Sequence, residues 1–282
     1  MGDMDAEMMT VARFKALAAS KRAKVANDRF CPASVLRAGA RDRYEWVREA
    51  AVGNPSAPAD VLRAGVEDED RWVRRAAVRN LGAPEDVVRV GAKDAHPEVR
   101  RAAVENPNAP EDVIRAGVRD EDWRVREAAV GNPRAPEDVI RVGVGDESQA
   151  VREAAVGNPG APEDVIRVGA THNNAWARVA AVGNPSAPED VIRAGVGDES
   201  VNVRIAAMGN PSAPEDVFRT AMGFQERKVR VLIAGNPGLP QDLAEKLSKS
   251  KAVKIQEALA GNPAVPERIR VVVRMKLEAG RR

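Results

Sequence analysis

The groups in this 282-residue chain that could do chemistry are two histidines, one cysteine, four tryptophans and a large population of arginines and carboxylates. His96 and His172 stand 76 residues apart, and neither has a further imidazole or thiolate at metal-ligand spacing. Cys31, being alone, can form neither an internal disulfide nor a cysteine-built metal site. The GVGDES segments at 143–148 and 195–200 lack the lysine that a phosphate loop places after its glycines. Carboxylates abound, but they recur at fixed positions, and no pair tuned for acid–base work stands out. These residues predict no enzyme, no cofactor and no metal.

The recurrence is the main signal. Asparagine returns every 26 residues at Asn54, Asn80, Asn106, Asn132, Asn158, Asn184, Asn210, Asn236 and Asn262. Proline follows it each time except at Leu81, and a second proline returns from Pro58 to Pro266. Arginine forms a column of its own at Arg48, Arg74, Arg100, Arg126, Arg152, Arg178, Arg204 and Arg230. Such a column could be a guanidinium ladder facing an anion. The structural alternative has each arginine tying neighbouring units together through the Asp60, Asp86 series or through loop carbonyls. The asparagines are expected to serve the turn, where Asn tolerates irregular backbone and its amide bonds locally. A second arginine column, Arg63 through Arg219, reads as helix-surface pairing with Glu85-type residues.

The elements that position these columns can be read from one unit, residues 42–67, DRYEWVREAAVGNPSAPADVLRAGVE. Asp42 is expected to cap a first helix whose apolar stripe is Val47, Ala50 and Ala51. Asn54-Pro55 should end that helix, because the residue before proline is driven from the α region. Pro58 should open a second helix of barely two turns, α or 3₁₀, and Gly65 should close it in a left-handed conformation. The larger apolar side chains of a single unit do not offset the cost of ordering 26 residues, so stability must come from stacking.

These motifs carry a resemblance. Asp-x4-Val-Arg followed by Asn-Pro-x-Ala-Pro-x-Asp-Val-Ile, seen in Val151-Arg152 and Asn158-Pro159-Gly160-Ala161-Pro162, resembles the leucine-rich repeat variant family over about residues 20–270. The resemblance implies an all-α, right-handed superhelical solenoid of 26-residue two-helix repeats, one α-helix plus one short α/3₁₀ helix, with no sheet. The units depart from the family in length and in their Gly-Val pair, and the iron–sulfur module of some relatives would need more cysteines than Cys31. The Asp-x4-Val-Arg half also resembles HEAT repeats. The expected organisation is a capping helix and degenerate first repeat over 1–41, seven regular repeats over 42–223, and two divergent repeats with a capping helix over 224–282, all in one continuous solenoid domain.

What varies inside this frame is the block after each Asp42-type residue, and it holds Tyr44, Trp46, Trp72, Trp123 and Trp176. Exposed aromatic residues anchor interfaces. The alternative is that Trp46, Trp72 and Trp176 pack on the adjacent helix start. Charge is also uneven: +4 over residues 1–41, −9 over 42–223 and +7 over 224–282. The resulting expectation is a non-catalytic scaffold binding a protein or peptide, with a basic partner suited to the acidic middle. Nucleic-acid binding through Lys246, Lys249, Lys251 and Lys254 is the alternative. The first twenty residues lack an apolar signal core, and no window reaches the roughly 20 apolar residues of a membrane span, so a cytoplasmic location is expected.

Overall fold

The computed structural model describes residues 9–224 and 227–279. Among them the chain is all helix, with 21 helices and no strand, as the repeat pattern predicted. Two compact units are distinguishable, Met1–Val139 and Ile140–Arg282. In the first, longer helices run over Glu45–Gly53, Arg71–Arg79, Pro97–Glu105 and Trp123–Gly131, alternating with shorter ones at Ala33–Gly39, Ala59–Val66, Glu85–Gly91 and Glu111–Gly117. In the second, the longer helices are Gln149–Gly157, Ala175–Gly183, Val201–Gly209, Arg227–Gly235 and Val253–Gly261. The shorter ones there are Glu163–Ala170, Glu189–Val196, Glu215–Ala221 and Gln241–Ser248. Glu137–Gly143 lies at the division point.

Every longer helix of the repeats has nine residues, and the shorter ones are α-helices of seven or eight. Within each unit a longer helix packs on the next longer helix and on the short helices beside it. The core is thin: Val47, Ala51, Val52, Val61 and Leu62 are buried, as are their register mates up to the last repeat, where Ala260 and Arg270 are half-buried. At the start, two helices, Val11–Ala16 and Ala19–Ala26, stand where one capping helix was expected within 1–41; residues 1–8 of that span lie outside the described residues. Phe14 and Ala26 bury themselves against Leu36, Val47 and Ala51. At the other end the 13-residue helix Glu267–Ala279 buries Ile269 and Val273.

Three local expectations are corrected. Asp42 is not the helix cap, which is Tyr44; Asp42 instead accepts the Tyr44 N–H at 3.1 Å and holds the turn before the helix. Gly65 is not left-handed, and no described residue has positive φ. It lies inside the short helix because a Cβ there would meet Val52 Cγ1 at 2.7 Å and Ala77 Cβ at 3.2 Å. The glycine column is thus a close-approach device between the two helices of a unit. The asparagines, finally, do more than serve their own turn. Asn80 Oδ1 accepts the Gly82 N–H locally, while its amide donates to Val52 O at 3.0 Å and Asn54 O at 2.8 Å in the preceding repeat. Asn54, Asn106, Asn210, Asn236 and Asn262 repeat the pattern, all buried. A carbonyl left free at a helix end is satisfied by the next unit, and each bond adds about 1 kcal/mol net.

The arginine column also joins units, but through a different aspartate from the one predicted. Arg48 grips Asp68, not Asp60 or Asp86, at 2.7 and 2.9 Å, and donates to the Asp42 carbonyl at 3.0 Å. Arg22, Arg74, Arg100 and Arg178 make the same bidentate bond to the aspartate twenty residues on. The Asp60 series is taken by the second, exposed column: Arg37–Asp60 and Arg63–Asp86 at 2.6 Å in one unit, Arg167–Asp190 at 2.6 Å and Arg219–Asp242 at 2.8 Å in the other. The predicted pairing with Glu85-type residues accompanies it, as in Arg89–Glu85. The last rung is reversed, Arg268 pairing back to Glu245 at 2.7 Å.

Candidate binding surface

Helical phase decides what each longer helix offers outward. Val47, Ala51 and Val52 turn to the core, so positions 46, 49 and 53 form the exposed face, with the small Ala50 between them. In register, position 46 reads Trp46, Trp72, Glu98, Arg124, Ala150, Trp176, Asn202, Lys228 and Lys254. Position 49 reads Glu49, Arg75, Arg101, Glu127, Glu153, Val179, Ile205, Val231 and Glu257. The buried columns barely change while this face changes at nearly every unit.

The four tryptophans are exposed, Trp46 at 45%, Trp72 at 41%, Trp123 at 38% and Trp176 at 58%. None is buried between units. Half-buried Tyr44 stacks on Trp46, with centroids 4.6 Å apart and planes at 26°. Arg71 and Arg75 lie over Trp72 at 4.9 and 5.5 Å, and Arg124 lies over Trp123 at 4.6 Å. Such contacts are worth about 0.5–1 kcal/mol at exposed sites, enough to bias the rings toward fixed poses on the surface. Between the helices lie shallow grooves. One, of ≈ 300 Å³, is lined by Trp46, Glu49, Gly53 and Ala76 among others. The next, of ≈ 210 Å³, is lined by Glu49, Trp72, Arg75 and Arg79 among others.

The second unit offers different chemistry on the same face. Ile205, Val231 and Leu232 line a groove of ≈ 540 Å³ with Lys228 and Lys254. These residues, apart from Lys254, were missed from sequence, although the signal was there: position 49 switches from charged to β-branched at Val179 and stays so to Val231. Of the four lysines singled out for nucleic acid, only Lys254 joins this groove. Lys246 is exposed on Gln241–Ser248, Lys249 is that helix's C-cap, and Lys251 is exposed in the following turn.

The remaining reactive groups are occupied structurally. Burial pushes the Cys31 thiol up to about 11, with the charge of Asp28 adding to it, which leaves it a poor nucleophile. His172 Nδ1 accepts the Asn174 N–H at 3.0 Å, standing where other units have the turn aspartate. Among the described residues no cluster of three or more His, Cys, Asp or Glu could hold a metal. No described helix is long and apolar enough to cross a membrane.

No protein-family model and no curated protein matches the chain. Among solved structures, importin beta in an ammonium sulfate condition is similar at 14% identity and a TM-score of 0.38, over 94% of this chain. The chain spans only 43% of the length of that structure. A designed armadillo repeat protein in complex with the peptide (KR)4 is similar at 18% identity and a TM-score of 0.15, over 92% of this chain and 90% of its own. Computationally designed armadillo repeat proteins for modular peptide recognition give 17% identity and a TM-score of 0.13, over 95% and 97%. These scores are low, so the helical-repeat assignment rests on the helices and ladders described above.

Proposed function

We propose that the protein is a non-catalytic helical-repeat scaffold that binds a protein or peptide segment along the exposed face of its longer helices. One observation carries this reading: the frame residues are nearly invariant from unit to unit, while this face and the turn leading into it vary in aromatic, charged and apolar character. A surface that only needed solvation would not require exposed tryptophans, each stacked or covered by arginine, at three places in one unit. The leucine-rich repeat variant resemblance of the motifs is compatible with such a scaffold and supplies no partner. The −9 charge of residues 42–223 already counts the arginines paired with the Asp60-type row, and this remaining acidic excess suits a basic partner.

Site-specific photo-crosslinking in cells tests the reading. A photoreactive residue is placed in turn at Trp46, Trp72, Trp176 and Ile205 on the longer helices. Val90, Val142 and Val168, exposed on the short-helix side, serve as controls. Adducts to a discrete protein from the first set alone are the expected result. Adducts from the short-helix positions instead, or adducts to nucleic acid, would overturn it.

A further inference from the structure

The groove on helices Val201–Gly209, Arg227–Gly235 and Val253–Gly261 is chemically unlike the rest of the face. At the position of Ile205 and Val231 the earlier units carry Glu49, Arg75, Arg101, Glu127 and Glu153, residues suited to water, until Val179 begins the apolar run. At the position of Leu232 every other full unit carries alanine. Three larger apolar side chains therefore stand, half-buried, where the repeats before Val179 keep charge or a methyl group. The core beneath changes as well, with Met208, Ile233 and Leu259 standing where other repeats keep Val or Ala, but those side chains are fully buried whereas Ile205, Val231 and Leu232 stay half-exposed. The apolar patch is bordered by Lys228 and Lys254, both lining the groove and neither ion-paired among the described residues. Unpaired lysines beside a patch of exposed apolar surface leave one charge type unanswered.

We propose that this groove is the docking site for an acidic segment of a partner protein, one large apolar side chain of which enters between Ile205, Val231 and Leu232. The inference rests on the scaffold reading above and names the partner chemistry of one part of that face. Lys228 and Lys254 occupy the same register position on adjacent packed helices, so their backbones are about 8–10 Å apart. An extended chain covers that span in about three residues. The matching segment has Asp or Glu at two positions three apart, with Leu, Ile or Phe between them. The carboxylates meet the lysines at the rim, where the attraction steers encounter and falls with salt. The apolar side chain supplies the buried anchor. Glu257, at the next position-49 site, ends the apolar run and repels a longer acidic segment at that end.

The full chain is titrated by fluorescence anisotropy with a labelled peptide containing Asp-Leu-Gly-Asp in a neutral Ser/Gly context. Controls are a Lys-for-Asp peptide, a Ser-for-Leu peptide and a single-stranded oligonucleotide. The acidic-apolar peptide is expected to bind best, with both peptide changes weakening it about tenfold or more. The variant Lys228→Glu/Lys254→Glu, with unchanged circular dichroism, should invert the preference and bind the Lys-for-Asp peptide. These lysines are exposed, so the reversal does not threaten the fold. Equal binding of the acidic peptide by the reversed variant, preference for the oligonucleotide, or no binding of any peptide overturns the proposal. The variant Val90→Ala/Val142→Ala, on the short-helix side, should leave this titration unchanged. If the peptide fails while crosslinks persist on the longer-helix face, only the groove assignment is lost; crosslinks confined to the short-helix face remove the scaffold reading as well.

Discussion

In Met1–Val139, Arg22, Arg48, Arg74 and Arg100 each hold the aspartate twenty residues on, and in the Arg48, Arg100 pairs both side chains keep only about a tenth of their exposure. In Ile140–Arg282 only Arg178 has that aspartate. Twenty residues after Arg152 stands His172, after Arg204 Phe224, and after Arg230 Ser250. Arg204 lies 5.6 Å from the Phe224 ring, and Arg230 Nε is buried without a hydrogen-bond partner among the described residues. The asparagine ladder, by contrast, operates in both units. The difference teaches that two devices join repeats here: an amide ladder common to both units, and a charge ladder complete in the first and mostly replaced in the second. The unit with the weaker charge ladder is also the one whose outer face turns apolar.

The largest effect should come from what the units share. Val125 and Val130 are fully buried in the first unit and Val151 and Val156 in the second. Replacing either pair by aspartate buries two unpaired charges, and each double variant should lose more than about 4 kcal/mol, enough to melt its repeat and the neighbours. Urea unfolding followed by circular dichroism measures this; an unchanged midpoint for either would remove those valines from the core.

The charge ladder should then separate the units. Arg100→Met strands Asp120, and a loss of about 2–3 kcal/mol is expected, with Arg152→Met costing less than about 1. Acid should show the same asymmetry. Burial pushes Asp94 and Asp120 up, but hydrogen bonds from Arg74 and Arg100 and from the backbone outweigh it, leaving both below the usual carboxylate range. Asp42 behaves likewise with Arg22, and in the second unit Asp198 is held down by Arg178. A lowered folded value means the stabilisation is complete above the unfolded value near 3.9 and is lost as pH falls through the folded one. Hydrogen exchange compared at about pH 5 and pH 3 should show the first unit losing more protection; equal losses would mean the extra rungs contribute nothing.

A smaller effect concerns the helix contact inside a repeat. Gly65→Ala forces a methyl group onto Val52 and should cost about 1–3 kcal/mol. Val52→Ala in the same chain should recover much of it. The second unit already contains the inverted arrangement: at the same two positions it has Ala234 and buried Leu247, then Ala260 and Val273. Failure of Val52→Ala to compensate would mean that the two positions do not share one space.

Much of this was legible in the chain because a 26-residue period multiplies every weak signal. Helix ends at Asn54-Pro55, the buried valines and the all-helical class follow from local rules repeated nine times. The long-range partners were not legible. A carboxylate at Asp60 or at Asp68 is equally plausible from spacing, and only the stacking rise of the repeat puts Arg48 beside Asp68. Gly65 was misread for a related reason: a helix-ending glycine and a close-packing glycine look alike until the neighbouring Val52 is placed. The groove at Ile205 and Val231 is marked in the sequence only by a change in one exposed column, and exposed positions of a repeat vary without a packing rule to give a single change meaning.

The smallest expected effect is a gain. Ser250 occupies the turn-aspartate position, and its Oγ accepts the Ala252 N–H at 3.2 Å as Asp42 and Asp198 accept theirs. The turn is therefore already shaped for an acidic residue, while Arg230 Nε lies buried and unbonded among the described residues. Ser250→Asp should give Arg230 the partner that Arg178 has in Asp198, with Lys249 and Lys251 on either side favouring the carboxylate. A stabilisation of about 1 kcal/mol is expected, since a charge-assisted bond forms but a partly exposed carboxylate must be desolvated. The gain should vanish in an Arg230→Met background, where the same aspartate has nothing to hold, and that double-mutant cycle isolates the rung from any effect on the turn. A gain that survives the loss of Arg230 would assign it to the turn or to the neighbouring lysines. No gain in either background would mean that the second unit has settled into a packing that no longer accommodates the ladder.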